Sequence, residues 1–194
     1  MNAKPTALAG VERWPLHRHA DPRGDLHELL RDHWPHAPRV AQWNLVQTRA
    51  GALRGLAVHL QTTDYYLVIE GRAWLGLADL RPDSPTFRRS AVLPMDGEAL
   101  CAYVIPPGVA HGIHCVTDCL GLGGSSRRFD PADKFGCRWD DPALGIAWPE
   151  RAPMLIERDR HWPPAAALFE RVREWTEQRA RLEAVEAAGA CPAH

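Results

Sequence analysis

Proline and glycine are so frequent in this sequence that they limit the length of its regular elements. The 194 residues include 17 prolines and 15 glycines, and both residue types interrupt helices and strands. Short apolar segments lie between these breaks, among them residues 40–48, 53–62, 65–80 and 101–107. Several short strands at this spacing predict an all-β sandwich or barrel.

One stretch near the C-terminus has a different pattern. Its apolar residues recur at steps of three, four and seven, namely Leu168, Val172, Trp175, Leu182 and Val185. This spacing predicts one amphipathic helix from about residue 164 to 188, with its apolar stripe packed on the sheet or on a second subunit. We therefore expect a β domain over residues 1–163, and a C-terminal helix with a loose tail over residues 164–194.

Composition restricts the partners and the compartment. The chain carries 23 basic and 24 acidic residues, for a formal net charge of -1, so no chain-wide charge favours nucleic acid or an anionic membrane surface. We expect a small-molecule partner. The five cysteines show no Cys-x-x-Cys pair, which favours reduced thiols, and no apolar leader or membrane-spanning run is present. These features predict a cytoplasmic protein.

Histidines in two apolar segments are candidates for chemistry. "IPPGVAHGIH" (105–114) contains Pro-x-Gly-x-x-His ending at His111, which resembles the second half-motif of cupin barrels. The first half-motif usually presents His-x-His on one strand face, because residues two apart point the same way. Here these positions are Ala57 and His59. A metal site would use His59 and His111 with Glu70 or His114; otherwise the histidines bind phosphate or satisfy core hydrogen bonds.

Six segments in order resemble the dTDP-4-dehydrorhamnose 3,5-epimerase family. They are "DPRGDLHEL" (21–29), "QWNLVQTRAGALRGL" (42–56), "DLRPDSPTF" (79–87), "IPPGVAHGI" (105–113), "FDPADKFGCRWDDPALGIAWP" (129–149) and "MLIERDRHWP" (154–163). The resemblance implies a mainly β, cupin-like jelly-roll barrel with a C-terminal α-helix, which dimerises by sheet extension. It also implies that the chain binds a nucleotide-diphosphate sugar with no metal or other cofactor, as a sugar epimerase of deoxysugar or polysaccharide biosynthesis.

The binding residues of the family have counterparts in this sequence. A diphosphate is well held by planar guanidinium groups, and the resemblance assigns this role to Arg23 and Arg54, with His111 beside them. It assigns contacts to the nucleobase and its surroundings to three further residues: Glu28, Gln42 and Asn44.

The reacting residues depart from the family pattern. Epimerisation beside a keto group needs a base to remove a proton, a group to hold the enolate oxygen and an acid to return the proton. By the resemblance, the base position is Ala57 and the acid position is Phe129, neither of which can transfer a proton. Tyr66 stands where the family has a lysine. Asp159, the carboxylate partner of the base, is kept.

Three functions remain open from the sequence. In the first, the chain is an epimerase or isomerase with a rebuilt centre, in which His59 acts as base, Asp159 orients it, and Tyr65, Tyr66 or Tyr103 replaces the missing phenol. In the second, it binds a nucleotide sugar without turnover. In the third, it is a metal-dependent cupin with another ligand.

Overall fold

The structure is a computed structural model that describes residues 3–34 and 37–189. Over these residues the chain forms short strands and two α-helices. The strands are β1 (Lys4–Pro5), β2 (Glu12–Pro15), β3 (Arg18–Asp21), β4 (Gly24–His27), β5 (Gln42–Thr48), β6 (Leu53–Val58), β7 (Asp64–Glu70), β8 (Arg72–Asp79), β9 (Ser90–Asp96), β10 (Cys101–Ile105), β11 (Val109–Cys115), β12 (Cys119–Ser125) and β13 (Phe135–Gly136). The helices are α1 (Glu157–Arg160) and α2 (Ala165–Gly189).

The strands form two antiparallel sheets and a separate hairpin. The six-stranded sheet has the order β1-β2-β10-β7-β12-β5, and the five-stranded sheet has the order β13-β6-β11-β8-β9. Strands β3 and β4 pair only with each other among the described residues. The prediction of a mainly β fold with a C-terminal helix is confirmed.

The main core lies between the two sheets. Leu75 and Leu77 of β8 pack with Val68 of β7 and with Tyr103 and Ile105 of β10. On the other side of the five-stranded sheet, a second cluster contains Leu56, Val58, Leu168 and Val172, so α2 begins against this outer face. Side chains alternate along a strand. Because Leu56 and Val58 face the outer cluster, Ala57 and His59 point toward the space between the sheets.

The predicted strands agree with the structure except at some ends. The segment 65–80 divides into β7 and β8 at Gly71, whose φ of 86° is in the left-handed region. The segment 53–62 ends as a strand at Val58, because the Asp133 carboxylate accepts hydrogen bonds from the backbone N–H groups of Leu60 and Gln61 at 2.8 and 3.0 Å.

The C-terminal helix is confirmed, but its apolar stripe is only partly covered. Leu168 and Val172 are buried, whereas Leu182 and Val185 are exposed. The predicted tail beyond Gly189 lies outside the described residues, and the domain boundary at residue 163 stays a prediction. Neither α-helix, over the described residues, has the length and apolar character needed to cross a membrane.

The cysteines of the described residues lie inside the fold. Cys101, Cys115, Cys119 and Cys137 are all buried and free. Buried thiols of this kind behave as small apolar side chains.

The "DLRPDSPTF" segment is a structural hydrogen-bond network. The fully buried Asp79 carboxylate accepts hydrogen bonds from Arg81 Nε at 2.9 Å, Ser84 Oγ at 2.5 Å and Thr86 Oγ1 at 2.6 Å. Arg81 also donates to the carbonyl oxygen of Ala9 at 2.6 Å, which ties the N-terminal segment to this turn. Burial acts to raise the pKa of Asp79, but the hydrogen bonds from Arg81, Ser84 and Thr86 outweigh it and lower the pKa.

We predict that Asp79→Asn lowers the free energy of unfolding by about 3 kcal/mol, since it leaves the Arg81 guanidinium partly unpaired in the interior. Because the pKa of Asp79 is lowered in the folded state, the carboxylate stabilises the fold above its unfolded-state pKa of about 4 and loses this effect as the pH falls. The difference between wild type and variant should therefore shrink in acid. Urea denaturation at several pH values measures both effects.

Asp83→Asn is the matched control. Asp83 pairs with Arg179 at 2.7 Å, and both side chains are exposed, so its loss should cost less than about 1 kcal/mol. Equal effects of the two substitutions would contradict the structural role of the Asp79 network.

Candidate active site

A cavity of about 600 Å³ lies between the two sheets. Strands β5, β6, β7, β11 and β12 contribute to its wall, together with the segment from Met154 to Asp159 and with Trp162. A smaller pocket of about 140 Å³ shares Asn44, His59, Tyr66 and Lys134 with it. These shared residues mark a polar end at which the two hollows adjoin.

Glycines allow β6 and β11 to come close at this cavity. A Cβ atom on Gly55 would lie 2.8 Å from Gly112 Cα and from the His111 carbonyl oxygen, so only glycine fits there. The register sets Ala57 opposite His111. The turn before β11 contains Gly108, with a φ of 82°, and its N–H donates to the His59 carbonyl oxygen at 2.8 Å. The backbone thereby fixes both histidines at one end of the barrel.

His59 and His111 meet the carboxylate of Asp64 at the polar end. Asp64 Oδ2 lies 3.9 Å from His59 Nε2 and 3.6 Å from His111 Nε2. Asp64 and His111 are buried, and the His59 side chain is 15% exposed. Burial raises the pKa of Asp64, and it lowers the pKa of His59 although the Asp64 charge opposes this effect. Burial also lowers the pKa of His111 to about 4.

The other ring nitrogen of each histidine faces a backbone carbonyl. His59 Nδ1 lies 2.7 Å from the Asp133 carbonyl oxygen, and His111 Nδ1 lies 3.1 Å from that of Val109. A carbonyl oxygen only accepts hydrogen bonds, so Nδ1 carries the proton in both rings. In the neutral rings each Nε2 then has a free lone pair that points toward Asp64. This lone pair can accept a proton or bind another cation.

Positive charge dominates the wall of the larger cavity. Its lining includes the cations Arg49, Arg54, Lys134 and Arg158, against the carboxylate of Asp159 alone among the described residues. Burial lowers the pKa of Lys134, and the charges of Arg158 and Arg54 lower it further. A concave surface with this excess of positive charge suits a phosphorylated ligand.

Arg54 is held at the wall by neighbouring groups. Its Nε donates to Thr48 Oγ1 at 2.8 Å, and its Nη2 donates to the Gln47 carbonyl oxygen at 3.2 Å. Arg54 and His111 line the same cavity, as the resemblance implies.

Arg23 and Glu28 do not share this cavity within the chain. Arg23 lies in the turn between β3 and β4, where it pairs with Asp21 and its side chain is 90% exposed. Glu28 pairs with Arg31, and neither residue lines either hollow. The expectation that Arg23 lies beside Arg54 and His111 is therefore wrong for a single chain, because the hairpin pairs with neither main sheet. Contact of Arg23 or Glu28 with a ligand stays a prediction.

Gln42 and Asn44 lie side by side on β5. Gln42 Nε2 donates to Asn44 Oδ1 at 3.2 Å, and Gln42 Oε1 accepts a hydrogen bond from the Phe129 backbone N–H at 2.8 Å. Both residues line the smaller pocket together with Phe129. The pair therefore forms a hydrogen-bonded polar edge of the smaller pocket.

The predicted reacting residues lie around the cavity, but one predicted contact is absent. Ala57, His59, Tyr66 and Asp159 all line the larger hollow. Burial raises the pKa of Tyr66, and the Asp64 charge raises it further. The prediction that Asp159 orients His59 is wrong. Asp159 Oδ1 instead accepts hydrogen bonds from Arg158 Nε at 2.8 Å and Trp162 Nε1 at 3.1 Å, so it holds Arg158.

The structure adds residues that sequence reasoning missed. Asp64 supplies the carboxylate beside His59, whereas Glu70 lies at the far end of β7 and His114 lies outside the cluster of His59, Asp64 and His111. Asp133 and Lys134 come from the "DPADK" turn. The only signal for Asp64 in the sequence is a carboxylate directly before an apolar strand.

Comparison with known proteins agrees with this geometry. The sequence profile of the dTDP-4-dehydrorhamnose 3,5-epimerase family matches residues 5–167. A dTDP-4-dehydro-6-deoxyglucose 3-epimerase from Streptomyces bikiniensis is 32% identical over 176 residues, which cover 83% of this chain and 90% of that protein.

Solved structures show the same architecture. The rmlC epimerase of Mycobacterium tuberculosis has a TM-score of 0.81 and 26% identity, over 92% of this chain and 99% of that chain. ChmJ, a 3'-monoepimerase from Streptomyces bikiniensis, was solved in complex with dTDP as a double variant in which one histidine became asparagine and one tyrosine became phenylalanine. It has a TM-score of 0.79 and 30% identity, over 92% of this chain and 98% of that chain. The fold is thus the cupin-like jelly roll.

Proposed function

The chain belongs to the dTDP-4-dehydrorhamnose 3,5-epimerase family, and from this premise we propose that it is an isomerase of a dTDP-4-keto-6-deoxyhexose in deoxysugar or polysaccharide biosynthesis. The observation that carries this proposal is one cavity with two chemically different parts. A cationic wall with Arg54 suits a diphosphate, and the polar end with His59 and Tyr66 suits the keto sugar.

Nucleotide binding in this proposal depends on the cationic wall. Arg54 takes the diphosphate, and Asp159 keeps Arg158 beside it. His111, which the resemblance places beside the phosphate, faces Asp64 at the polar end of the cavity. Gln42 and Asn44 take polar groups of the ligand. The ChmJ double variant supports a nucleotide site that is separate from the reacting residues. That protein was crystallised in complex with dTDP although a histidine and a tyrosine had been replaced. Binding of the nucleotide here need not depend on the residues at positions 57 and 129.

Proton transfer in this proposal has moved to new residues. Ala57 and Phe129 offer no group that exchanges a proton, so the proton beside the keto group must leave through other side chains. His59 is two residues from Ala57 and lines both hollows, and Tyr66 offers the hydroxyl that faces the sugar. We assign the reacting centre to these two residues. Since residues two apart on a strand are about 6–7 Å apart, the sugar has to lie in a different position from that in an enzyme with its base at position 57.

We expect the protein to bind dTDP, and we expect Arg54→Ala to weaken binding by about 10- to 100-fold, the usual effect of removing a charged hydrogen-bond donor. Isothermal titration calorimetry measures this change. Arg89→Ala is the matched control, because Arg89 is exposed and lies outside the cavity. Equal affinities of the two variants would contradict the placement of the diphosphate.

We expect dTDP-4-keto-6-deoxyglucose to take up deuterium from D₂O in the presence of the protein, and His59→Ala to slow this uptake by about 10²- to 10⁴-fold, as loss of a residue on which proton transfer depends does. Mass spectrometry of the sugar follows the exchange. His161→Ala, an exposed histidine of the described chain outside both hollows, is the control. Undiminished exchange in His59→Ala would remove His59 from the reacting centre. Tight dTDP binding without any exchange in the wild type would favour a nucleotide-sugar-binding protein without turnover.

A homodimer formed along β5 is part of this proposal. Strand β5 is an edge of the six-stranded sheet, and its Leu45 side chain is 66% exposed. An exposed apolar edge strand favours pairing with a second chain. In such a dimer the hairpin β3–β4 of one subunit would be free to reach the cavity of the other, and we propose that Arg23 and Glu28 act there.

We also propose that the protein is cytoplasmic. The four buried, free cysteines of the described residues fit the reducing cytoplasm.

We expect Leu45→Glu to convert the dimer to a monomer, because it buries a charge at the pairing edge. Sedimentation velocity gives the mass. If the hairpin acts across the dimer, Arg23→Ala in the dimer and Leu45→Glu should each weaken dTDP binding. Val116→Glu, which changes an exposed apolar residue outside β5, should leave mass and affinity unchanged. A wild-type chain that sediments as a monomer would contradict this assembly.

A further inference from the structure

Three strands bring potential metal ligands to one point between the sheets. His59 follows the end of β6, Asp64 opens β7, and His111 lies in β11. One ligand atom from each residue lies within 4.8 Å of the other two. The Asp64 Oδ2 atom is 3.9 Å from His59 Nε2 and 3.6 Å from His111 Nε2. The cluster links the two sheets at the polar end of the cavity.

The remaining polar atom of each side chain is held by a partner that does not compete for this point. Ser125 Oγ donates to Asp64 Oδ1 at 3.1 Å, so Oδ2 is left to face the histidines. The Nδ1 atoms of His59 and His111 are directed at backbone carbonyl oxygens. This is the arrangement in which outer partners fix the tautomer and orientation of metal-binding histidines.

The three atoms that face one another are all acceptors. One proton on Asp64 would supply a hydrogen bond to only one of the two Nε2 atoms and would leave the other without a donor, which is unfavourable in a buried cluster. A single cation with several coordination positions satisfies all three. Ligand atoms around an ion at about 2.1 Å stand about 3.0–3.4 Å apart, so the three atoms, which lie within 4.8 Å of one another, have to move closer together when the ion binds.

We propose that His59, Asp64 and His111 bind one divalent first-row transition metal ion. Two imidazoles with one carboxylate are the donor set of iron, manganese, cobalt and zinc sites, whereas calcium and magnesium prefer oxygen ligands alone. Three protein ligands leave positions open toward the cavity, where Ala57 presents only a methyl group. Metal binding itself does not depend on the proposed function. A role of the ion in holding a sugar oxygen does rest on it. In that case the His59 Nε2 lone pair binds the ion and is not available as a base, so His59 supports proton exchange through the ion.

The test is a metal titration of the full-length, untagged, chelator-treated protein in the absence of nucleotide. Co²⁺ is followed by its visible d–d absorption and Zn²⁺ by calorimetry. We expect one ion per chain, and a loss of affinity of about 100-fold or more in Asp64→Asn and in His59→Gln. Glu70→Gln and His161→Ala, which change residues outside the cluster, should bind as the wild type does. Near-UV circular dichroism checks the fold of each variant. If Asp64→Asn does not fold, the loss of metal affinity is measured with His59→Gln, whose site is partly exposed.

Absence of saturable binding up to about 1 mM, or full binding in both ligand variants, overturns the inference. The same chelator-treated sample is titrated with dTDP, which separates this outcome from failure of the proposed function. Binding of dTDP without metal binding leaves the nucleotide proposal standing and removes the metal site. Metal binding without dTDP binding leaves the metal site standing and removes the nucleotide proposal.

Discussion

The close pairing of β6 with β11 is the constraint on which the rest of the site depends. It requires that no side chain stand between the strands at Gly55 and Gly112, and it is completed by the hydrogen bond from the Gly108 N–H to the His59 carbonyl oxygen. Without this contact His59 and His111 would lie on separate segments with no fixed relation. With it, two imidazoles and Asp64 of the opposite sheet converge.

The cavity separates two kinds of chemistry along its length. Arg49, Arg54, Lys134 and Arg158 make one part strongly positive, and burial keeps the histidines of the other part neutral by lowering their pKa values. A charged, phosphorylated group is favoured in the first part, and a neutral sugar ring is favoured in the second. This separation supports the proposal that the chain binds a nucleotide sugar although positions 57 and 129 carry alanine and phenylalanine.

Motifs shared with a family need not act on the ligand. The "DLRPDSPTF" segment resembles its counterpart closely, yet Asp79, Arg81, Ser84 and Thr86 form a closed network that ties a turn to the N-terminal segment. Asp159 shows the same point in another form. It lies at the cavity, as its motif predicts, but it holds Arg158 and not the histidine that sequence reasoning assigned to it. A motif locates a residue in the fold; the hydrogen bonds around it decide its role.

The sequence by itself determined the fold class, the helix that closes the chain, most central strands and the presence of Arg54, His59, Tyr66 and His111 at one hollow. The strands, the helix and the face of His59 depend on periodicity and on turns, which are local properties of the chain, whereas the positions of Arg54, Tyr66 and His111 follow from the resemblance to the family. Only the tertiary structure decided that Asp64, and not Glu70 or His114, completes the cluster, and that Arg23 stands apart from Arg54. Such choices depend on which atoms distant segments bring within a few ångströms, and strand pairing and side-chain burial set those distances without leaving a pattern in the sequence.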